Sequence, residues 1–138
     1  MSNFYTDVKD FHIAFGQRVG DKPELPDTKE RTLRMKLLAE EMYEYTVAEN
    51  EHDLTEIADA LADIIYIACG TAVSYGIPLD KVFAEVHRSN MAKLVDGKPL
   101  YREDGKVMKP EGWTPPDVEG VLKKSHEEFI CRNAQITL

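Results

Sequence analysis

Cysteine is scarce in these 138 residues: only Cys69 and Cys131 occur, far apart, the first inside an apolar run. That excludes a disulfide framework and any thiolate metal-ligand spacing, and a reducing cytoplasmic setting is the expectation. A bilayer-length apolar run is missing too. The longest uncharged apolar stretch, Ile64 to Val73, is preceded by Asp63 and contains Gly70 and Thr71, so no membrane partner is expected. The first twenty residues lack the basic-then-apolar pattern of a signal peptide. Positive charge is in deficit: 17 Lys and Arg stand against 25 Asp and Glu, a net charge of -8. That balance argues against nucleic acid as a partner, because phosphate contacts are made by cations. Neither an internal repeat nor a βαβ alternation is visible. With 43% hydrophobic and 30% charged residues, the chain can form a core of ordinary domain size.

The apolar residues keep helical time. Phe4, Val8, Phe11 and Phe15 form one stripe that ends at Gly16, and Gly20, Pro23 and Pro26 mark a connector. Asp27 with Glu30 reads as a capping box opening a second helix that runs to about Asn50 along Leu33, Leu37, Leu38, Met42 and Tyr45. Asp53 or Thr55 caps a third helix that stops at Gly76, and Pro78 opens a fourth carrying Leu79, Val82, Phe83 and Val86. From residue 96 to 120 there are four Gly and four Pro, with Asp104-Gly105 placed for a tight hairpin. The expectation is a single all-α domain over residues 1–138, an antiparallel four-helix-bundle-like core (about 3–95). It is followed by an irregular Gly/Pro-rich lid with a short helix (about 96–125) and a loose tail (126–138).

From Leu37 to Asp80 there are ten carboxylates and no Lys or Arg, while seven cations lie between Lys9 and Lys36 and seven between Lys81 and Lys109. On a wheel of about 100° per residue, Glu40, Glu41 and Glu44 fall within about 80° of Leu33 and so continue the leucine face. On the third helix Glu56, Asp59 and Asp63 share a band about 60° wide, and Ile57, Ala58, Ala60, Leu61, Ala62, Ile64 and Ile65 fill the rest. A helix apolar nearly all round belongs in the middle of a core. Burying unpaired carboxylates there costs several kcal/mol each, in the range of a domain's whole stability. One or two divalent cations resolve the conflict, and an all-oxygen donor set suits Mg²⁺ or Mn²⁺. A single Glu pair at this spacing is commonly a solvated helix face; it is the third helix that weights the reading toward a site. A di-iron bundle would need two Glu-x-x-His motifs, and only Glu49-x-x-His52 is found.

Glu40-Glu41-Met42-Tyr43-Glu44, followed by Glu56-Ile57-Ala58-Asp59-Ala60-Leu61-Ala62-Asp63-Ile64-Ile65-Tyr66, resembles the E-E-x-x-E … E-x-x-D signature of the MazG-like all-α nucleoside triphosphate pyrophosphohydrolases. That superfamily includes phosphoribosyl-ATP pyrophosphohydrolase and dimeric dUTPases. The likeness continues through Val82–Lys93 to Asp104-Gly105-Lys106 and Lys109-Pro110-Glu111-Gly112-Trp113, and is closest to the single-domain, dUTPase-like branch. In one respect the chain departs from it. Where many members carry a Glu three residues before the acid that precedes Ile-Ile-Tyr, this chain has Ala60, and Glu56-x-x-Asp59 is the substitute pair.

The resemblance implies Mg²⁺-dependent hydrolysis of a nucleoside triphosphate to the monophosphate and pyrophosphate, a nucleotide-pool house-cleaning activity. Glu40, Glu41, Glu44, Glu56, Asp59 and Asp63 are the metal ligands it implies, with Glu40 or Glu41 as general base. Arg88, Asn90, Lys93, Lys106 and Lys109 are the candidate substrate contacts, and a homodimer or homotetramer is the expected assembly. Phosphoribosyl-ATP as substrate, or a helical binding module without turnover, are the alternatives. Trp113 is open to two readings, a base-stacking ring or a lid anchor, whereas His12 and His87 read as structural or surface residues.

Overall fold

The computed structural model describes residues 3–136, and all its regular structure is helical: α1 (Phe4–Ala14), α2 (Thr28–Glu51), α3 (Leu54–Tyr75), α4 (Leu79–Met91) and α5 (Val118–Ile136). The all-α expectation holds. The helices fall into two compact units, one ending at Leu79 and the other beginning at Asp80.

In the first unit α3 packs against both α1 and α2, and each helix begins on a side chain suited to it. The Asn3 carboxamide oxygen accepts from the Tyr5 and Thr6 amides, Asp27 from Glu30, and Asp53 from Thr55 and Glu56, which satisfies otherwise orphaned donors. Only half of the expected capping box forms around Asp27, because the Glu30 carboxylate is used elsewhere: it accepts from the Ser74 hydroxyl at 2.7 Å. Helix α2 ends on His52 and α3 on Gly76, both left-handed. His52 is therefore a cap, which disposes of the Glu49-x-x-His52 pairing as anything more.

The connector after α1 is stitched to the end of α3. Gly20 donates to the Val73 carbonyl (2.8 Å) and Glu24 to the Tyr75 carbonyl (3.0 Å). Here the chain runs backbone against backbone. A Cβ on Gly20 would strike the Gly76 amide, and one on Gly76, at φ 66°, would strike the Lys22 carbonyl. Beneath this crossing lies a polar interior. Arg34 of α2 is buried, and its Nε donates to the Thr71 hydroxyl (3.1 Å) and Nη2 to the Ile67 carbonyl (3.0 Å). Burial lowers its pKa, while the charges of Glu30 and Tyr75 pull the other way. Gly70 leaves the room: a Cβ there would meet the Arg34 guanidinium and the His12 ring. His12 is also buried, with Nδ1 2.8 Å from the Arg18 carbonyl, which makes it a structural histidine.

The expectation that α3 is enclosed on every side is corrected. Its C-terminal half is buried at Cys69, Gly70, Ala72, Val73 and Ser74, but Leu61, Ile65 and Tyr66 remain 47%, 43% and 39% exposed. Two helical neighbours cannot cover a helix that is apolar on all faces. By length and composition α3 is also apolar enough to cross a membrane, a property shared with core helices of water-soluble proteins.

In the second unit, the segment after α4 turns through Asp104-Gly105 as expected. Arg102 N–H donates to the Lys106 carbonyl (2.8 Å) and Met108 to Leu100 (2.7 Å), with Gly105 at φ 83°. The pairing amounts to isolated bridges, not strands. Helix α5 corrects both the short helix and the loose tail: it runs to Ile136 through most of the expected tail, whose last two residues lie outside those described. Its half-buried stripe, Val118, Leu122, Ser125 and Phe129, has helical spacing. A serine in the middle and the Lys123-Lys124 and Glu127-Glu128 pairs hide it.

The Gly76 crossing should cost more to disturb than an ordinary left-handed glycine. Gly76→Ala is expected to lose about 2 kcal/mol or more in urea unfolding, since strain and a backbone collision add. Gly97→Ala, at φ 75° with nothing near its Cβ position, should lose only about 1 kcal/mol. Equal losses would refute the crossing as a constraint.

Candidate functional site

Along the seam between α2 and α3 the acids converge. Glu41 and Glu44 lie on successive turns of α2 and face Asp63 of α3, and one carboxylate oxygen from each lies within 4.8 Å of the others. Glu41 and Asp63 are half-buried and Glu44 is exposed. The Glu41 Oε2 atom is buried and has no hydrogen-bond partner. Such an atom is rare, because the desolvation it suffers is ordinarily repaid by a donor. Burial raises the pKa of Glu41, and the charges of Asp63, Glu44, Glu40 and Asp59, in that order, raise it further. The cations near the seam are directed elsewhere. Lys36 approaches Glu40 at 4.0 Å with both side chains largely exposed, an arrangement worth little, and Arg34 serves the α3 backbone.

This donor set fits a divalent ion. Three carboxylates converge, one holding an unsatisfied oxygen, and neither histidine nor thiolate is among them, as a hard, oxygen-seeking cation prefers. Of the six acids expected as ligands, the structure brings together Glu41, Glu44 and Asp63. Glu40 and Asp59 stand near enough to act on Glu41 by charge, and Glu56 lies outside the three-carboxylate group. Glu40, Glu44, Glu56 and Asp59 are all exposed, so the burial expected for the whole acidic set is found only at Glu41 and Asp63.

The candidate substrate contacts all belong to the second unit. Arg88 is taken by Glu85: its Nε and Nη2 reach the carboxylate at 3.0 and 2.7 Å. Glu85 also accepts from the Asp117 amide at 3.0 Å, just ahead of α5. The Arg88 hydrogen bonds, then the Asp117 amide, hold the Glu85 pKa down at about 2. Asn90 accepts from Lys93 Nζ at 2.9 Å. Lys93 and Lys109 both point at the Trp113 ring, with Nζ 5.5 and 4.7 Å from its centroid. The indole N–H donates to the Ser89 carbonyl at 2.7 Å, so Trp113 anchors its segment to α4. Lys106 is exposed beside the Asp104 turn. Sequence reasoning missed Arg34 and Glu85. Glu85 could have been found from its placement one turn before Arg88; buried Arg34 announces itself by no pattern.

The profile of the phosphoribosyl-ATP pyrophosphohydrolase family matches residues 8–90, a span that holds the whole acidic seam. The chain is also similar to the uncharacterized protein L479 of Acanthamoeba polyphaga mimivirus, 36% identical over 140 residues. The match covers 96% of this chain and 53% of that protein, so the chain spans about half the length of that relative.

Two outcomes are expected. Glu41→Gln removes one charge from the repelling group, so metal-free protein should melt a few degrees higher, about 1 kcal/mol. The rise in melting temperature that Mg²⁺ or Mn²⁺ gives the wild type should vanish in the variant; scanning calorimetry with and without metal reads both. The second concerns Glu85. Because its folded pKa lies below the ordinary carboxylate value of 4.5, its stabilising contribution is complete above about pH 4.5 and is lost as pH falls toward 2. Protection of the Asp117 amide against hydrogen exchange, taken relative to an unfolded peptide at the same pH, should fall over that interval, and in Glu85→Gln it should already be low at pH 7.

Proposed function

The chain belongs to the phosphoribosyl-ATP pyrophosphohydrolase family, and from that premise we propose that it is a Mg²⁺-dependent nucleotide pyrophosphohydrolase. It cleaves a nucleoside triphosphate to the monophosphate and pyrophosphate. The observation that carries this reading is the buried, unpartnered oxygen of Glu41 facing Glu44 and Asp63 across the α2–α3 seam.

Phosphoryl chemistry of this kind depends on positioning and charge neutralisation more than on covalent help. Glu41, Glu44 and Asp63 would hold the ion, with Glu40, Glu56 and Asp59 as further acidic groups of the site. When bound, Mg²⁺ or Mn²⁺ neutralises phosphate oxygens and makes the phosphoanhydride a better electrophile. The chain supplies the proton acceptor for the attacking water, Glu40 or Glu41. Arg88, Asn90, Lys93, Lys106 and Lys109 are assigned to the anionic oxygens of the substrate, Arg88 on release from Glu85. The exposed Leu61, Ile65 and Tyr66 of α3, with Phe4 and Phe15 of α1, support assembly into a homodimer or homotetramer. Free Cys69 and Cys131 accord with a reducing cytoplasm.

Phosphoribosyl-ATP is the second reading, favoured by the name of the matching family; it presents the same anhydride bond. A binding module without turnover is the third.

Pyrophosphate release from a panel of canonical and modified nucleoside triphosphates and from phosphoribosyl-ATP, with and without Mg²⁺, separates the three. Release should require the metal and fall at least about 100-fold in Glu41→Gln and in Asp63→Asn, with helical circular dichroism unchanged. Lys106→Ala should raise KM more than it lowers kcat, as expected of a group that only tethers phosphate. No release from any substrate would leave the module.

A further inference from the structure

We propose that Trp113 is a positioning residue, the floor of a polyphosphate-binding site in the second unit, where it holds Lys93 and Lys109 together as a clamp. The inference rests on the reading of the substrate as a triphosphate ester and goes beyond it. It gives the chain's one tryptophan a charge-presenting role in place of nucleobase stacking.

Two ammonium groups repel each other, and on a chain of net charge -8 each has carboxylates it could seek. Several described cations do find one: Arg88 with Glu85, Lys81 with Glu128, Arg102 with Asp104, Lys123 with Glu119. Among the described residues Lys93 and Lys109 form no ion pair. Both instead lie over one indole ring, Lys109 at 4.7 Å and Lys93 at 5.5 Å from its centroid. The negative π charge of the ring attracts each ammonium. Lys93 is further fixed by Asn90 Oδ1 at 2.9 Å. The ring itself cannot swing, because its N–H is tied at 2.7 Å to the carbonyl of Ser89, a buried residue of α4, and its own amide is tied to the Pro110 carbonyl at 3.1 Å. An aromatic surface that has drawn two cations is committed to charge. What the pair lacks is a multivalent anion, and a chain of linked phosphates offers charge to both lysines at once.

The test uses tripolyphosphate, pyrophosphate and adenosine on full-length protein in chelator, so that the acidic seam takes no part. Tripolyphosphate should change Trp113 emission saturably, pyrophosphate more weakly and adenosine not at all. Binding by calorimetry should fall about tenfold in Lys93→Ala and in Lys109→Ala and weaken with added salt. Trp113→Leu should weaken it about 2- to 5-fold, whereas Trp113→Phe, which keeps an aromatic face and loses the N–H, should restore most of it. In turnover the same order should appear in KM, with kcat little changed. Emission that responds to adenosine alone would overturn the proposal in favour of base stacking. Alanine variants that bind tripolyphosphate as the wild type does would overturn it too. If the wild type binds tripolyphosphate through both lysines yet releases no pyrophosphate from any nucleotide, the clamp stands and the enzymatic reading falls. If it turns over with KM unchanged in Trp113→Leu, the enzyme stands and the positioning role falls.

Discussion

The repulsion among Glu41, Glu44 and Asp63 governs what the first unit can be. Three carboxylates at this spacing, one with an oxygen cut off from water, oppose folding, so the rest of the unit must supply the surplus stability that keeps α2 and α3 together. Much of it lies at the opposite end of the same seam. There Arg34 ties α2 to the α3 backbone, Ser74 meets Glu30, and the connector closes over both. The seam is polar at both ends but for opposite reasons. One end is satisfied within the chain, and the other waits on something from outside it.

That division explains why nearby positive charge does not quench the acids. Arg34 lies two helical turns from Glu41, yet its donors are used on a carbonyl and a hydroxyl. Were it to swing toward the acids, it would abandon buried α3 acceptors and vacate the space that Gly70 keeps open for it. A protein that neutralised its own carboxylates internally would have nothing with which to grip a cation.

Much of this was legible in the residues, and what was not has physical causes. Helices α1 to α4 announced themselves through apolar spacing and through Asp27, Asp53 and Gly76, whose capping roles depend only on neighbours a few residues away. The convergence of Glu41, Glu44 and Asp63 could be approached from wheel angles, because each helix fixes the directions of its own side chains. Which acids meet depends on the relative depth and rotation of two helices, and that left Glu56 and Asp59 undecided. Helix α5 was hidden by a serine in its stripe and by paired charges. Arg34 was invisible for a deeper reason: its partners are a backbone carbonyl, which carries no sequence identity, and a hydroxyl on a helix far along the chain.

The crossing of Gly20 over Gly76 has a consequence for how this chain can diversify. Two backbones in direct contact leave no slack, so residues inserted between α1 and α2 would be felt at the far end of α3. The turn from Gly97 to Gly105 is the contrasting case, since both glycines face open space and their surroundings are exposed. Tolerance of extra sequence should therefore concentrate there, and this turn is where a fluorophore, an affinity tag or a whole inserted module could be carried.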